Sequence, residues 1–307
     1  LLKHLKHTQI DQKKWDECLM QSPDGMVYCQ YWFLSIIHPD WEAWVIEKND
    51  AYSFIMPLLS HKNYGFSLHP KPVLAQRLGM FGFISDEIIK EVKSEIIKKF
   101  SSFIYPLNYN YAETFTGETQ TNHILPLSEK YEELAAKYRR DRKSRLKQAR
   151  KTDIEIINGS EADDLINLFK KEVSPKITDG VSDTAYLKIH ELISESLKND
   201  TGLLIKAIKD KQLISIAFFI KYKSRITYLF SANTDLGRSL NANSLILDEV
   251  IKKQSDSNCT LDFEGSHIPG IAYFFKSFGA IEEKYFLIKY ESTVLKTLKK
   301  LKSITKK

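Results

Sequence analysis

The sequence predicts a mixed α/β protein, an α+β mixed sheet in two tandem domains, and three observations carry that prediction. Strand-like runs at 202–209, 212–221 and 225–231 are separated by turns too short for anything but antiparallel hairpins. Amphipathic helical stretches with a 3.6-residue apolar period alternate with these and with further strands. The first half repeats the order loosely, as helices, three strands, one long helix and two strands, without a residue-level repeat. At 307 residues, 43% hydrophobic and 27% charged, the composition is globular and the length allows two cores.

The first half opens with a helix expected over 12–20 and an aromatic segment over 28–37. All four tryptophans, Trp15, Trp32, Trp41 and Trp44, lie in this region and read as core, because bulky aromatics bury much area each. Strands follow at 44–47, 51–58 and 66–69, with Asn49-Asp50 as a hairpin turn. A helix is expected over 86–103: Ser85 is a candidate N-cap, and Asp86 and Glu87 suit the positive end of the dipole. Its apolar face runs from Ile88 through Val92 and Ile96 to Phe103. Strands at 110–115 and 123–127 close this half.

A basic helix over 132–151 joins the halves. Beyond it come a strand at 153–158 and a helix over 160–171, with Ser160 as cap and Asp163 at the reciprocal capping-box position. A further helix over 183–198 leads into the three-strand meander. The loop 232–242, a helix over 243–254, a strand at 260–263, a short helix over 270–276 and a strand at 285–290 complete the order. The expected domains are therefore 1–130, a connecting helix 131–151, and 152–307, the first a degenerate version of the last.

Bulk properties close several routes. No apolar run reaches the ~18 residues of a membrane span, and the first residues lack the apolar core of a secretory signal. The three cysteines, Cys18, Cys29 and Cys259, form no C-x-x-C pair, which argues against a disulfide framework or a cysteine zinc site and suits a reducing, cytoplasmic setting. No metal is expected. Motifs of the P-loop, nucleophile-elbow and H-E-x-x-H types do not occur. The net charge of +6 fits an anionic partner, whether a phosphate-bearing cofactor, RNA or a membrane surface.

The most informative stretch is Leu261-Asp262-Phe263-Glu264-Gly265, followed by Ser266, His267 and a short aromatic helix that ends at Gly279. On a continuing strand, Asp262 and Glu264 share one face while Leu261 and Phe263 take the other. A carboxylate at that place can take a proton from an amine, and neighbouring carboxylates raise one another's pKa. Glu264 is the first candidate for a general base and Asp262 for its neighbour; the alternative is that both cap the following turn. The loop Leu236-Gly237-Arg238-Ser239, with Asn243 beyond it, follows a strand and precedes a helix, where free amides and a dipole favour anions. The alternative there is a plain strand-to-helix connection. On the basic helix, Arg139, Arg142, Lys143, Lys147 and Arg150 can share a face suited to RNA backbone or acidic lipid; the alternative is a merely solvated helix between the domains. The stretch 294–302 is basic and amphipathic and suits either membrane-surface contact or docking on the chain itself.

These segments together, the basic helix around Tyr138–Ala149, Asn243-Ser244-Leu245-Ile246-Leu247-Asp248-Glu249, Leu261–Gly265 and Phe275-Lys276-Ser277-Phe278-Gly279, resemble the GNAT superfamily of N-acyltransferases. More closely, the chain is similar to two-domain FemAB-like peptidyltransferases and acetyltransferase-like proteins of bacteria. The resemblance implies two neighbouring strands that splay apart to admit acyl-CoA, or the end of an aminoacyl-tRNA. It implies a phosphate contact at Leu236–Ser239, and it departs from the family at two places. The third meander strand holds no carboxylate, and Phe275 stands where a tyrosine acid is usual. Three functions stay open: acyl-CoA-dependent N-acylation of a small or peptide amine, aminoacyl transfer from tRNA to a cell-wall precursor, and a non-catalytic binding protein that keeps the fold.

Overall fold

The computed structural model describes residues 2–108, 113–178, 180–265 and 268–304. Two compact units result, Leu1–Gln120 with Lys284–Lys307, and Thr121–Glu283. The C-terminal segment therefore packs with the first unit, whereas the sequence placed it in the second domain and set the boundaries at 130 and 151.

In the first unit the chain runs through β1 (Lys3–Lys6), α1 (Gln12–Gln21), α2 (Tyr31–Ile37), β2 (Glu42–Lys48) and β3 (Ala51–Leu58). It continues through β4 (His61–Asn63), β5 (Phe66–His69), β6 (Phe81–Gly82), α3 (Asp86–Lys99) and β7 (Ser102–Leu107). Strand β8 (Gly117–Pro126) carries it into the second unit. Strands β1, β2, β3 and β6 make an antiparallel sheet in that order. Trp15, Trp41 and Trp44 are buried. Trp15 meets Trp41 edge-on at 4.7 Å and donates its indole N–H to the Cys29 carbonyl at 2.8 Å. The tight β2–β3 turn forms because Asn49 and Asp50 both accept left-handed backbone, with φ of 51° and 60°.

Helix α3 starts as expected, with the Ser85 hydroxyl accepting the Ile88 N–H. It stops at Lys99 rather than 103. Phe100 turns extended there and buries its ring against Trp44 and Phe103, and Ser101 donates to the Ser67 carbonyl. Residues 100–103 thus leave the helix, and β7 begins at Ser102. The expected strand over 110–115 does not form in its described part, since 113–115 are turn; residues 109–112 lie outside the described residues.

The second unit continues with α4 (Tyr131–Ala136), α5 (Arg140–Ala149), β9 (Glu155–Gly159), α6 (Ala162–Glu172) and α7 (Asp183–Lys198). Then come β10 (Gly202–Lys209), β11 (Gln212–Tyr222), β12 (Arg225–Asn233), α8 (Asp235–Ser239), α9 (Ala242–Gln254), β13 (Thr260–Asp262) and α10 (Pro269–Lys276). Strand β14 (Ile281–Glu291) and helix α11 (Thr293–Ile304) return the chain to the first unit. There β5 lies parallel to β7, and β7 is antiparallel to β14.

The meander falls where its short turns put it, and Ser182 caps α7 through the Ala185 N–H at 3.2 Å. Helix α6 differs from the capping-box expectation: Glu161 is its N-cap residue, and the Ser160 hydroxyl donates to the Glu161 carboxylate instead. The basic connection is two helices, α4 and α5, rather than one, because residues 137–139 turn the chain. The unit's sheet runs β8-β13-β12-β11-β10-β9. All its neighbours are antiparallel except β12 and β13, which are parallel. Its core packs the faces of β10–β13 against α5, α9 and α10.

His69 gives the first unit a pH-dependent weak point. Its ring is fully buried, with Nε2 accepting the Leu59 N–H at 2.9 Å and Nδ1 facing the Ile104 carbonyl at 3.2 Å, so the proton sits on Nδ1. Burial drives its pKa down to about 3. The unfolded chain therefore binds a proton that the folded one refuses, from about pH 6.5 downward, and stability falls with pH across that window. The expected loss from this group is about 2 kcal/mol on going from pH 6.5 to pH 5, at about 1.4 kcal/mol per unit. Denaturant melts at the two pH values should show a smaller difference in His69→Gln than in the natural chain.

Candidate functional site

Strands β12 and β13 pair for only three positions, Arg225↔Thr260, Ile226↔Leu261 and Thr227↔Asp262. β12 then continues along β11 to Asn233, while Phe263 turns its N–H to the His123 carbonyl at 3.0 Å. The two parallel strands part at Asp262. At the same level β12 carries a bulge: Phe218 faces Phe230 and Phe219 faces Tyr228, which leaves Leu229 as the extra residue. Bulges of this kind re-aim side chains and interrupt pairing. A cavity of about 380 Å³ lies in the resulting gap. Tyr228 to Ser231 line one side, Phe263 to Gly265 the other, and Asn243, Gly270, Ile271, Phe274 and Phe275 complete it.

The two carboxylates singled out in the sequence have different environments. Strand β13 ends at Asp262, so the alternation that would place both on one face does not extend to Glu264. Asp262 is fully buried. One of its oxygens accepts the Asn122 amide and the Glu264 backbone N–H, each at 2.8 Å, and the other accepts Arg225 Nε at 2.6 Å. Arg225 also holds Glu283 through both terminal nitrogens. Burial opposes the charge on Arg225, but the Asp262 and Glu283 carboxylates outweigh it and raise the guanidinium pKa. Asp262 thus anchors the turn, and its environment differs from that of Glu264. Glu264 follows in left-handed backbone, φ 57°, half-buried at the edge of the cavity. Gly265 follows with φ 49°, and a β-carbon there would lie 2.6 Å from the Thr121 carbonyl oxygen, so only glycine fits. Ser266 and His267 lie outside the described residues.

Phe275 is buried and stacks on Phe263 at 4.8 Å. Tyr228 approaches it edge-on at 6.4 Å, and its hydroxyl is hydrogen-bonded to the Asn243 side chain. Burial raises the Tyr228 pKa, partly offset by the bonds to Ser231 and Asn243. Sequence reading passed over Tyr228 because it sits among apolar residues of a buried strand; a lone phenol in the strand beside the expected splay was the available signal.

The phosphate loop is closed by its own residues. The Thr234 hydroxyl accepts the Gly237 N–H at 2.9 Å, and the Thr234 carbonyl accepts the Arg238 N–H at 2.9 Å. The Arg238 guanidinium holds Asp235, Glu172 and the Asn233 carbonyl. A β-carbon at Gly237 would lie 2.0 Å from the Ile214 carbonyl oxygen, so this position packs closely on β11. Leu236 and Ser239 are exposed, and of the expected anion set only Asn243 reaches the cavity.

The basic segment buries one of its sides. Tyr138, Arg142, Leu146 and Ala149 form the buried stripe of this segment. Arg142 points inward, its guanidinium 4.5 and 4.6 Å from the ring centres of Phe274 and Phe278, bonded to the hydroxyls of Ser277 and Ser244. Arg150 pairs with the buried Asp248 at 2.5 Å. Arg139 lies over the Tyr273 ring, and Lys143 donates to the Ala136 carbonyl. Of the five, Lys147 has only its exposure to report. The arginines dock α5 on α9 and α10.

No protein-family model and no curated protein matches the chain. Solved structures do. FemX is 13% identical, aligned over 92% of this chain and 96% of its own, with a TM-score of 0.67. An acetyltransferase of the GNAT family from Colwellia psychrerythraea is 7% identical over 95% and 100%, with a TM-score of 0.54. A tandem GNAT protein from the clavulanic acid biosynthesis pathway is 8% identical over 94% and 98%, at 0.51. At these identities the likeness is one of fold: a mixed α/β protein with two GNAT-like domains, FemX-like over nearly its whole length. Among the described residues no helix is long and apolar enough to cross a membrane.

Two substitutions test the assignments of Asp262 and Gly237. Asp262→Asn removes one of the two carboxylates that hold Arg225 and should cost about 3 kcal/mol in chemical denaturation. Gly237→Ala should cost about 1–3 kcal/mol, because the methyl has no room against β11.

Proposed function

We propose that the Thr121–Glu283 unit transfers an acyl group to an amine, with the reacting carbonyl seated where β12 and β13 part. The observation that carries this reading is the cavity at that point, floored by Phe263, Phe274 and Phe275 and edged by Glu264, Tyr228, Asn243 and Ser231. An apolar pocket with a few convergent polar groups is the usual form of a small-substrate site. In this reading Glu264 takes the proton that the amine loses as its nitrogen attacks the carbonyl carbon. The bond to the donor's sulfur or oxygen then breaks, and the leaving atom takes the proton of the Tyr228 hydroxyl, which the Asn243 side chain orients. Tyr228 supplies from β12 what Phe275 cannot supply from α10. Asp262 positions Glu264 through its backbone N–H.

The donor in the first reading is an acyl-CoA thioester, the commoner choice for this fold. One observation favours a second, an aminoacyl ester such as charged tRNA carries: the amides of Gly237 and Arg238 and the Arg238 guanidinium are already engaged within the loop that would hold a CoA pyrophosphate.

Gly270 offers a clean probe, because a β-carbon there meets nothing within 4 Å and the residue lines the cavity. Calorimetric titration with acetyl-CoA, and separately with deacylated tRNA, should give binding of one of them, weakened at least about tenfold by Gly270→Phe. A chain that binds neither ligand overturns the proposal. Once a donor and acceptor pair is found, Glu264→Gln should lower kcat by about 10²–10⁴ with little change in KM.

A further inference from the structure

We propose that the face of the first unit formed by α11 and the β4–β5 hairpin docks on an anionic lipid surface. Helix α11 turns Leu295 toward a cavity of about 400 Å³ that Phe66, Leu68 and Ile104 also line. Val294, Leu298 and Leu301, spaced to fall on one stripe, stay 62%, 45% and 55% exposed. Docking on the unit therefore covers Leu295 and leaves Val294 and Leu301 uncovered, with Leu298 at the edge of the cavity. Between Thr293 and Ile304 the sequence places Lys296, Lys299, Lys300 and Lys302 and no acid, and Lys299 is paired with Glu291 at the end of β14.

The neighbouring hairpin adds an independent feature. Asn63 pairs with Phe66, so Tyr64 and Gly65 are the turn, with φ of 48° and 80°. Asparagine or aspartate is the ordinary residue at the first of these positions, and a bulky side chain there is disfavoured. Tyr64 nonetheless stands 94% exposed, on the rim of the same cavity as Leu295 and Leu298. A ring with a polar tip, an aliphatic stripe and a helix with lysines and no acid are what an interfacial helix presents to anionic headgroups. RNA would answer the lysines but not the stripe. A two-fold pairing of copies would set one lysine-rich helix against another.

The test is co-sedimentation of the full chain with vesicles of phosphatidylcholine, with and without about one third phosphatidylglycerol. Binding is expected only with the anionic lipid. It should weaken at about 1 M salt, where screening acts within about 3 Å. Leu298→Glu combined with Leu301→Glu should reduce it at least about tenfold with an unchanged melting curve, since both side chains are exposed. The single variants Tyr64→Ser and Lys296→Glu should each reduce it several-fold and serve if the double variant is unstable. Absence of sedimentation, binding indifferent to phosphatidylglycerol, or equal binding by these variants overturns the proposal. So does a dimer in sizing experiments that Leu298→Glu dissolves, which assigns the face to a second copy.

Discussion

The ion pair between Arg225 and Asp262 decides where the second unit's sheet opens. It ties the first residue of β12 to the last residue of β13, and pairing between the strands ends at Thr227 and Asp262. Removing a carboxylate from water completely is costly unless its hydrogen-bonding capacity is met inside. Here a guanidinium, an amide and a backbone N–H meet it. That last bond fixes the left-handed turn at Glu264, so the charge that closes the strand pair also sets the rim of the cavity.

The aromatic floor has a comparable logic. Phe263 and Phe275 stack, Tyr228 meets Phe275 edge-on, and the bulge at Leu229 lets β12 present Tyr228 where the strand has lost its parallel partner. Behind that floor, Arg142 is held between Phe274 and Phe278. A planar guanidinium suits such a slot better than an ammonium would, because it stacks on rings while its edge reaches Ser244 and Ser277. A run of basic residues that looks solvated in the sequence is, for its arginines, a docking device.

Periodicity made the meander, α7 and most of α3 legible, because those segments are long and their apolar faces regular. The short strands β1, β4 and β6 carry too few residues to show a period. The 86–103 helix was overextended because Phe100 and Phe103 continue a helical spacing by coincidence; their rings belong to the aromatic cluster around His69. At the site, Leu261 and Phe263 could be read locally as core, and the splay followed from the family resemblance. The separate fates of Asp262 and Glu264 could not, since they depend on Arg225, Asn122 and Glu283, which are distant in sequence. Gly237 shows the same limit: its close approach to the Ile214 carbonyl depends on a strand distant in sequence.

The discontinuity of the first unit has a consequence for synthesis. Strand β7 pairs with β14, and all of the second unit lies between them in the chain. While the ribosome makes residues 121–283, β7 waits with its β14-side edge unpaired, and such edges are sites of mispairing and aggregation. The second unit, contiguous in sequence, can close on itself in that interval. The first reaches its final pairing only when the last strand emerges. A fragment ending near residue 120 would keep that edge open for good.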